Sequence, residues 1–202
     1  MLSLYSGTPG SGKSLHAAGY IYTTLKNGFP VVANFPINTS IFRRNVNFKY
    51  VSNADLNPGL LVEYSREWRE HHRCKEGDIT LIIDEAQIIF NSRTWQKGGR
   101  QDWLRFFSEH RKYFYDIILI SQFDRMLDTQ IRCLIEYEYQ HRKASNFGFW
   151  GKLFALIPWF GSFCAVKVWY PMRERLGREW FRGNKRLFSI YDTYMEFEDT
   201  KQ

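Results

Sequence analysis

A chain of 202 residues, 44% hydrophobic and 18% aromatic, can bury a substantial core, which excludes a disordered segment. Its three cysteines, Cys74, Cys133 and Cys164, are odd in number and far apart, which excludes a disulfide-built scaffold and points to reduced thiols. The net charge of +7 favours anionic partners.

The first element is a short apolar strand, Leu2 to Ser6. It runs into Gly7-Thr8-Pro9-Gly10-Ser11-Gly12-Lys13-Ser14, which has the G-x-x-x-x-G-K-[ST] spacing of a phosphate-binding loop. Its glycines let the backbone N–H groups of Gly10 to Ser14 converge on phosphate oxygens at a helix N-terminus. Lys13 is placed to neutralise the β- and γ-phosphates, and the Ser14 hydroxyl to complete a Mg²⁺ shell. Leu15, Ala18, Tyr22 and Leu25 then recur at helical spacing up to a stop at Asn27-Gly28.

Val31 to Phe35 reads as a strand halted by Pro36, followed by an irregular polar stretch through Asn57-Pro58-Gly59. Leu60, Leu61, Tyr64 and Trp68 mark a helix that ends before Glu76-Gly77-Asp78. Ile79 to Ile83 is a fully apolar, β-branched run, so both faces of that strand are buried, and it leads into Asp84-Glu85. Ionised groups at the rim of a core are costly unless a cation or hydrogen bonds compensate. Asp84 therefore reads as the partner of Mg²⁺ and its waters, and Glu85 as the group that polarises an attacking water.

Residues 92–101 read as a loop broken at Gly98-Gly99, and Trp103, Phe106, Phe107 and His110 as a helix face. Ile117 to Ile120 is a third buried strand, ending in Ser121-Gln122. Gln122 is the candidate for sensing the γ-phosphate from a strand lying between the loop strand and the acidic strand. Gln130 to Tyr139 reads as a further strand that closes the core near residue 145. The absence of an Asn-Lys-x-Asp sequence for reading guanine makes ATP the expected nucleotide.

The composition then changes. Leu153 to Val166 is uncharged and bulky, lies between Lys152 and Lys167, is interrupted by Pro158 and Gly161, and falls short of the roughly 20 residues a membrane-spanning helix needs. It is either a hairpin for a membrane surface or subunit interface, or a segment folded back on the core. The following stretch, with Arg173, Arg175, Arg178, Trp180, Phe181, Arg182, Lys185 and Arg186, carries most of the net charge. It suits DNA phosphates, anionic lipid heads or a solvated face. Strands alternating with helices predict an α/β phosphate-loop NTPase core over residues 1–145, with a mainly parallel five-stranded sheet flanked by helices. A C-terminal aromatic and basic extension is expected over residues 146–202.

The phosphate loop at the extreme N-terminus, Leu-Ile-Ile-Asp-Glu-Ala-Gln at 81–87, Glu-His-Arg at 109–111, Ile-Leu-Ile-Ser-Gln at 118–122 and Ser-Ile-Tyr-Asp-Thr at 189–193 together resemble the zonular occludens toxin family, which includes the assembly ATPases of filamentous bacteriophages. The resemblance spans almost the whole chain. It implies a phosphate-loop fold with an additional strand and a catalytic Glu, using ATP and Mg²⁺ at the cytoplasmic face of the bacterial inner membrane to export phage single-stranded DNA. It further implies a ring-like homo-oligomer, with a hexamer expected, and other phage assembly proteins as partners. Carried onto this chain, Gly7, Gly12, Lys13 and Ser14 bind phosphate and Mg²⁺, Asp84 and Glu85 serve metal and water, and Arg93 and Arg111 are the candidates for a charge-stabilising arginine. Family members usually continue into a transmembrane helix and a periplasmic domain, whereas this sequence stops at Gln202. The competing readings are a nucleotide-binding, membrane-linked scaffold or toxin without turnover, and a small nucleotide kinase. A kinase needs no Glu directly after Asp84 and would carry an Arg-rich lid that this chain does not show.

Overall fold

The computed structural model describes residues 1–91, 99–144 and 162–191. Its strands are β1 (Leu2–Ser6), β2 (Val31–Ala33), β3 (Phe48–Tyr50), β4 (Ile79–Ile83), β5 (Tyr115–Ile120), β6 (Tyr137–Lys143), β7 (Phe163–Trp169) and β8 (Glu174–Phe181). They form a single sheet in the order β3-β2-β4-β5-β1-β6-β7-β8. Pairing from β3 to β6 is parallel throughout, and β7 and β8 are antiparallel to their neighbours.

The helices are α1 (Lys13–Lys26), α2 (Pro58–His71), α3 (Arg100–Glu109), α4 (Thr129–Leu134) and α5 (Lys185–Ile190). The period-two alternation of side chains divides the core between the two faces of the sheet. Leu2, Leu4, Leu81, Ile83, Ile117 and Leu119 point to the side where Leu61, Phe90, Trp103, Phe107 and Ile131 pack. Tyr5, Ile82, Ile118 and Ile120 point to the other, against Ala17, Ala18, Ile21 and Leu25 of α1 and Ile190 of α5. β1 and β4 are buried along their whole length, Ser3, Ser6 and Thr80 included, as strands in the middle of a parallel sheet are.

The five expected strands are all present, and β5 lies between β1 and β4. Two details differ from expectation. The segment 130–139 is not one strand: Asp128 caps a helix by accepting from the Gln130 N–H at 2.8 Å, Ile131 is driven into the core, and the strand begins only at Tyr137. The polar stretch after Pro36 contains β3, which adds a sixth parallel strand at the sheet edge.

The C-terminal residues read as an extension continue the same sheet. Cys164, Val166 and Val168 alternate along β7 into a small buried cluster, and β8 pairs with β7 along its length. Phe163 to Val166, the end of the long apolar run, is therefore strand; residues 153–161 lie outside the described residues.

Candidate phosphate and metal site

The loop follows β1 where the sheet offers three adjacent strand ends. Gly7 has φ 142°, its N–H donates to Gln122 O at 3.1 Å, and an added Cβ would stand 2.6 Å from the backbone oxygen of His141. A side chain there meets both strain and a wall of backbone. Gly12, at φ 96°, forms the N-cap of α1, where a Cβ would strike the Phe163 ring of β7 at 2.6 Å. The loop N–H groups thus stand at a helix N-terminus, suited to an anion by geometry and by the helix dipole. Lys13 Nζ donates to Gly7 O at 2.7 Å and Thr8 O at 3.3 Å. Burial lowers the Lys13 pKa, while Asp84 and Glu85 work against that shift.

Asp84 and Glu85 leave the end of β4 towards α1. The Asp84 backbone is clamped by Asn34, which accepts from its N–H at 2.7 Å and donates to its carbonyl at 2.9 Å. Its carboxylate accepts from the Glu85 N–H at 2.8 Å and from the Tyr191 hydroxyl at 2.7 Å. Burial raises the Asp84 pKa, opposed by these hydrogen bonds and by Lys13. Ser14 stands beside the same Tyr191 hydroxyl, so the Ser14 and Asp84 oxygens converge on one small region. Two hard oxygen donors beside a phosphate cradle fit Mg²⁺, which keeps several waters and accepts few protein ligands.

Glu85 is exposed and holds φ 47°, a left-handed conformation rare for a side chain of this kind. The Gln87 amide donates to Glu85 Oε2 and steers the carboxylate. Such strain persists where surrounding structure over-determines it, as at sites that handle substrate. Gln122 leaves β5 between the two site strands. With Ser6, Gly7, Thr8, Glu138 and His141 it lines a cavity of about 460 Å³ beside the loop.

Arg111 lies elsewhere. It pairs with Glu136 at 2.8 Å and Glu76 at 3.2 Å, and Glu136 also accepts from the Leu2 N–H at 3.1 Å. That is the amino end of β1, across the sheet from the loop at its carboxyl end. Arg93 lies outside the described residues.

Sequence reading assigned no role to several residues that surround the loop. Asn34 and Tyr191 both grip Asp84. His16 is stacked between Tyr5 and Phe181, with ring centroids 4.8 and 4.7 Å away. His16 Nδ1 meets His141 Nε2 at 2.9 Å, and His141 Nδ1 meets Ser6 O at 3.1 Å. Because a carbonyl only accepts, His141 donates from Nδ1; burial favours the neutral ring, and a neutral His141 then accepts at Nε2 from His16 Nδ1. The polar end of a strand beside the acidic one was the available signal for Asn34. Only spatial proximity reveals the histidine pair.

Burial pushes His16 down to about 4 and His141 to about 3 from the ordinary value near 6.5, and lowers His110 as well. The folded state therefore disfavours their protons. Their stabilising contribution is complete above pH 6.5 and is lost as the pH falls through the window down to about 4 and 3. Asp84, raised by burial, opposes this with a single proton. The melting temperature should thus fall steadily between pH 6.5 and 5. A flat profile over that range would remove this account of the pair.

Comparison with known proteins agrees with the geometry. The sequence model of the family described as "Zonular occludens toxin (Zot)" matches residues 1–193. The chain is 26% identical to the Gene 1 protein of Escherichia phage If1, over 96% of this chain and 58% of that protein. It is also 26% identical to the Gene 1 protein of Enterobacteria phage M13, over 95% of this chain and 59% of that protein. It therefore spans less than two thirds of the length of either relative. Among solved structures, the N-terminal domain of zonular occludens toxin from Neisseria meningitidis superposes with a TM-score of 0.59 at 16% identity, over 95% of this chain and 98% of that one. The genome packaging NTPase B204 from Sulfolobus turreted icosahedral virus 2, in complex with ATP-gammaS, superposes with a TM-score of 0.54 at 14% identity, over 86% of this chain and 94% of that one. The likeness places the sheet and its loop in the phosphate-loop NTPase fold. With a family match that runs from the first strand past Tyr191, the chain belongs to the zonular occludens toxin family.

Proposed function

We propose that the chain is an ATP-hydrolysing motor domain for assembly and export of filamentous phage, acting at the cytoplasmic face of the host inner membrane. The observation that carries the reading is Glu85: an exposed carboxylate at φ 47°, next to Asp84 at the carboxyl end of β4, with β5 and Gln122 between it and the loop strand. Packing gives no reason for that placement, and hydrolysis does.

The loop N–H groups and Lys13 bind and orient the β- and γ-phosphates. Ser14 and Asp84 would hold Mg²⁺, which when bound would supply positive charge against the phosphoryl oxygens. Glu85 accepts the proton of a water aligned with the γ-phosphate, and the Gln87 amide fixes the carboxylate for that task. Gln122 reports the γ-phosphate to β5. The charge-stabilising arginine comes from a neighbouring subunit of a ring, proposed as a hexamer. Arg111 is at the far end of its own sheet, where it would serve another protomer, and Arg93 is the second candidate. Single-stranded DNA meets the exposed β8 through Arg175 and Arg178. Residues 153–161 are left for membrane or subunit contact, since Phe163 to Val166 are taken up in β7.

Phosphate release from ATP and from GTP, with and without Mg²⁺, tests the reading. Slow, Mg²⁺-dependent release from ATP is expected of the isolated chain, rising when membrane-extracted protein assembles. Nucleotide binding with no turnover in either form would favour the scaffold reading instead.

A further inference from the structure

The hydrolytic reading leaves one contact of the site without a task. Tyr191 Oη donates to Asp84 Oδ2 at 2.7 Å from 107 residues further along the chain. The tyrosine is firmly placed. Its ring stands edge-on to Phe35, with centroids 4.8 Å apart at 87°. The preceding Ile190 is fully buried, and its carbonyl accepts from the Asn38 N–H at 3.0 Å. α5, which ends at Ile190, is capped by Asn184, whose side chain accepts from the Leu187 N–H at 2.8 Å, and Leu187 packs into the cluster on the α1 face.

We propose that Tyr191 is a positioning residue for the metal–nucleotide site, and that it couples the docking of the C-terminal helix α5 to occupancy of that site. The inference rests on the ATPase reading above. Asn34 already fixes the Asp84 backbone, so the remaining freedom is rotation of the carboxylate. An ionised carboxylate offers about four lone-pair directions. The Glu85 N–H occupies one on Oδ1 and the Tyr191 hydroxyl one on Oδ2, which pins the plane of the group and leaves the other directions for a cation and its waters. A metal that needs near-octahedral donors gains from that fixed plane. Coupling is reciprocal: if α5 docking favours the metal–nucleotide complex, the complex must favour α5 docking by the same factor.

Tyr191→Phe keeps the ring against Phe35 and removes only the hydroxyl. Affinity for a non-hydrolysable ATP analogue is measured with Mg²⁺ and with EDTA in wild type and variant, alongside amide hydrogen exchange of residues 185–190. In wild type, Mg²⁺ should tighten binding, and the Mg²⁺ complex should slow exchange in α5. In Tyr191→Phe the Mg²⁺-dependent gain should shrink by about three- to tenfold, the size expected for the net contribution of one typical hydrogen bond, with affinity in EDTA unchanged. The slowing of exchange should shrink with it. An unchanged Mg²⁺ gain in the variant overturns the inference, as does an equal loss with Mg²⁺ and with EDTA, which would be packing alone. Wild-type α5 exchange indifferent to the complex overturns the coupling. A wild type that binds no nucleotide overturns the ATPase reading itself, and this inference with it.

Discussion

Phosphate release by Glu85→Gln is expected to fall by at least about a hundredfold, with Mg-ATP affinity within about threefold of wild type, because a positioned general base contributes roughly 10²–10⁴ in rate and little to ground-state binding. Gln keeps the shape and the hydrogen-bonding reach of Glu85 but cannot accept the water proton. Lys13→Ala should behave differently and lose binding itself. Its ammonium is the one cationic side chain of the loop, and in this structure it bonds the Gly7 and Thr8 carbonyls that line the cradle. Equilibrium binding and single-turnover phosphate release separate the two. If both variants turn over ATP like wild type, the loop and the β4 acids are not the site.

The largest stability loss is expected from Phe90→Ala, at about 3–5 kcal/mol. Phe90 is fully buried on the α3 side of the sheet and stands edge-on to Trp103 and Phe107, with centroids at 5.0 and 5.4 Å. Its backbone closes the turn after Glu85, donating to Ala86 O at 2.9 Å and accepting from Asp128 at 3.0 Å. Removing the ring leaves a cavity among rigid aromatics that cannot collapse into it. Thermal unfolding should move down by about 10 °C for a chain of this size. Phe123→Ala, at a ring that is 55% exposed, supplies the comparison and should change stability by no more than about 0.5 kcal/mol. A Phe90→Ala loss below about 1.5 kcal/mol would show that this cluster is looser than its geometry.

The parts of this structure readable in the sequence are those fixed by local pattern. Apolar runs gave β4 and β5 as buried strands and β1 as the short strand before the loop, and the loop motif gave the turn into α1. Where a local signal was overruled, the cause is specific. Residues 130–139 contain enough apolar and aromatic positions for a strand, but the Asp128 cap wins the first half for a helix. β8, Glu-Arg-Leu-Gly-Arg-Glu-Trp-Phe, has no apolar alternation and is a strand only because β7 offers it an edge. The grip of Asn34 and Tyr191 on Asp84 spans 50 and 107 residues, distances at which periodicity says nothing.

The position of β1 in the sheet has a consequence for how the protein is made. The strand is complete by Ser6, yet its neighbours are β5 and β6, so Leu2 waits for Ile117 and Ser3 for Tyr137. At about 5–20 residues per second, a ribosome keeps the first strand unpaired for on the order of ten seconds before its second neighbour has even been synthesised. Until then the Leu2 and Leu4 side chains and both hydrogen-bonding edges of the strand are open to other chains. Closing loops of that length also makes folding slow relative to helical proteins. Aggregation of nascent or truncated chains should therefore be governed by this N-terminal strand, and fragments ending before β6 should be the ones that depend on chaperones.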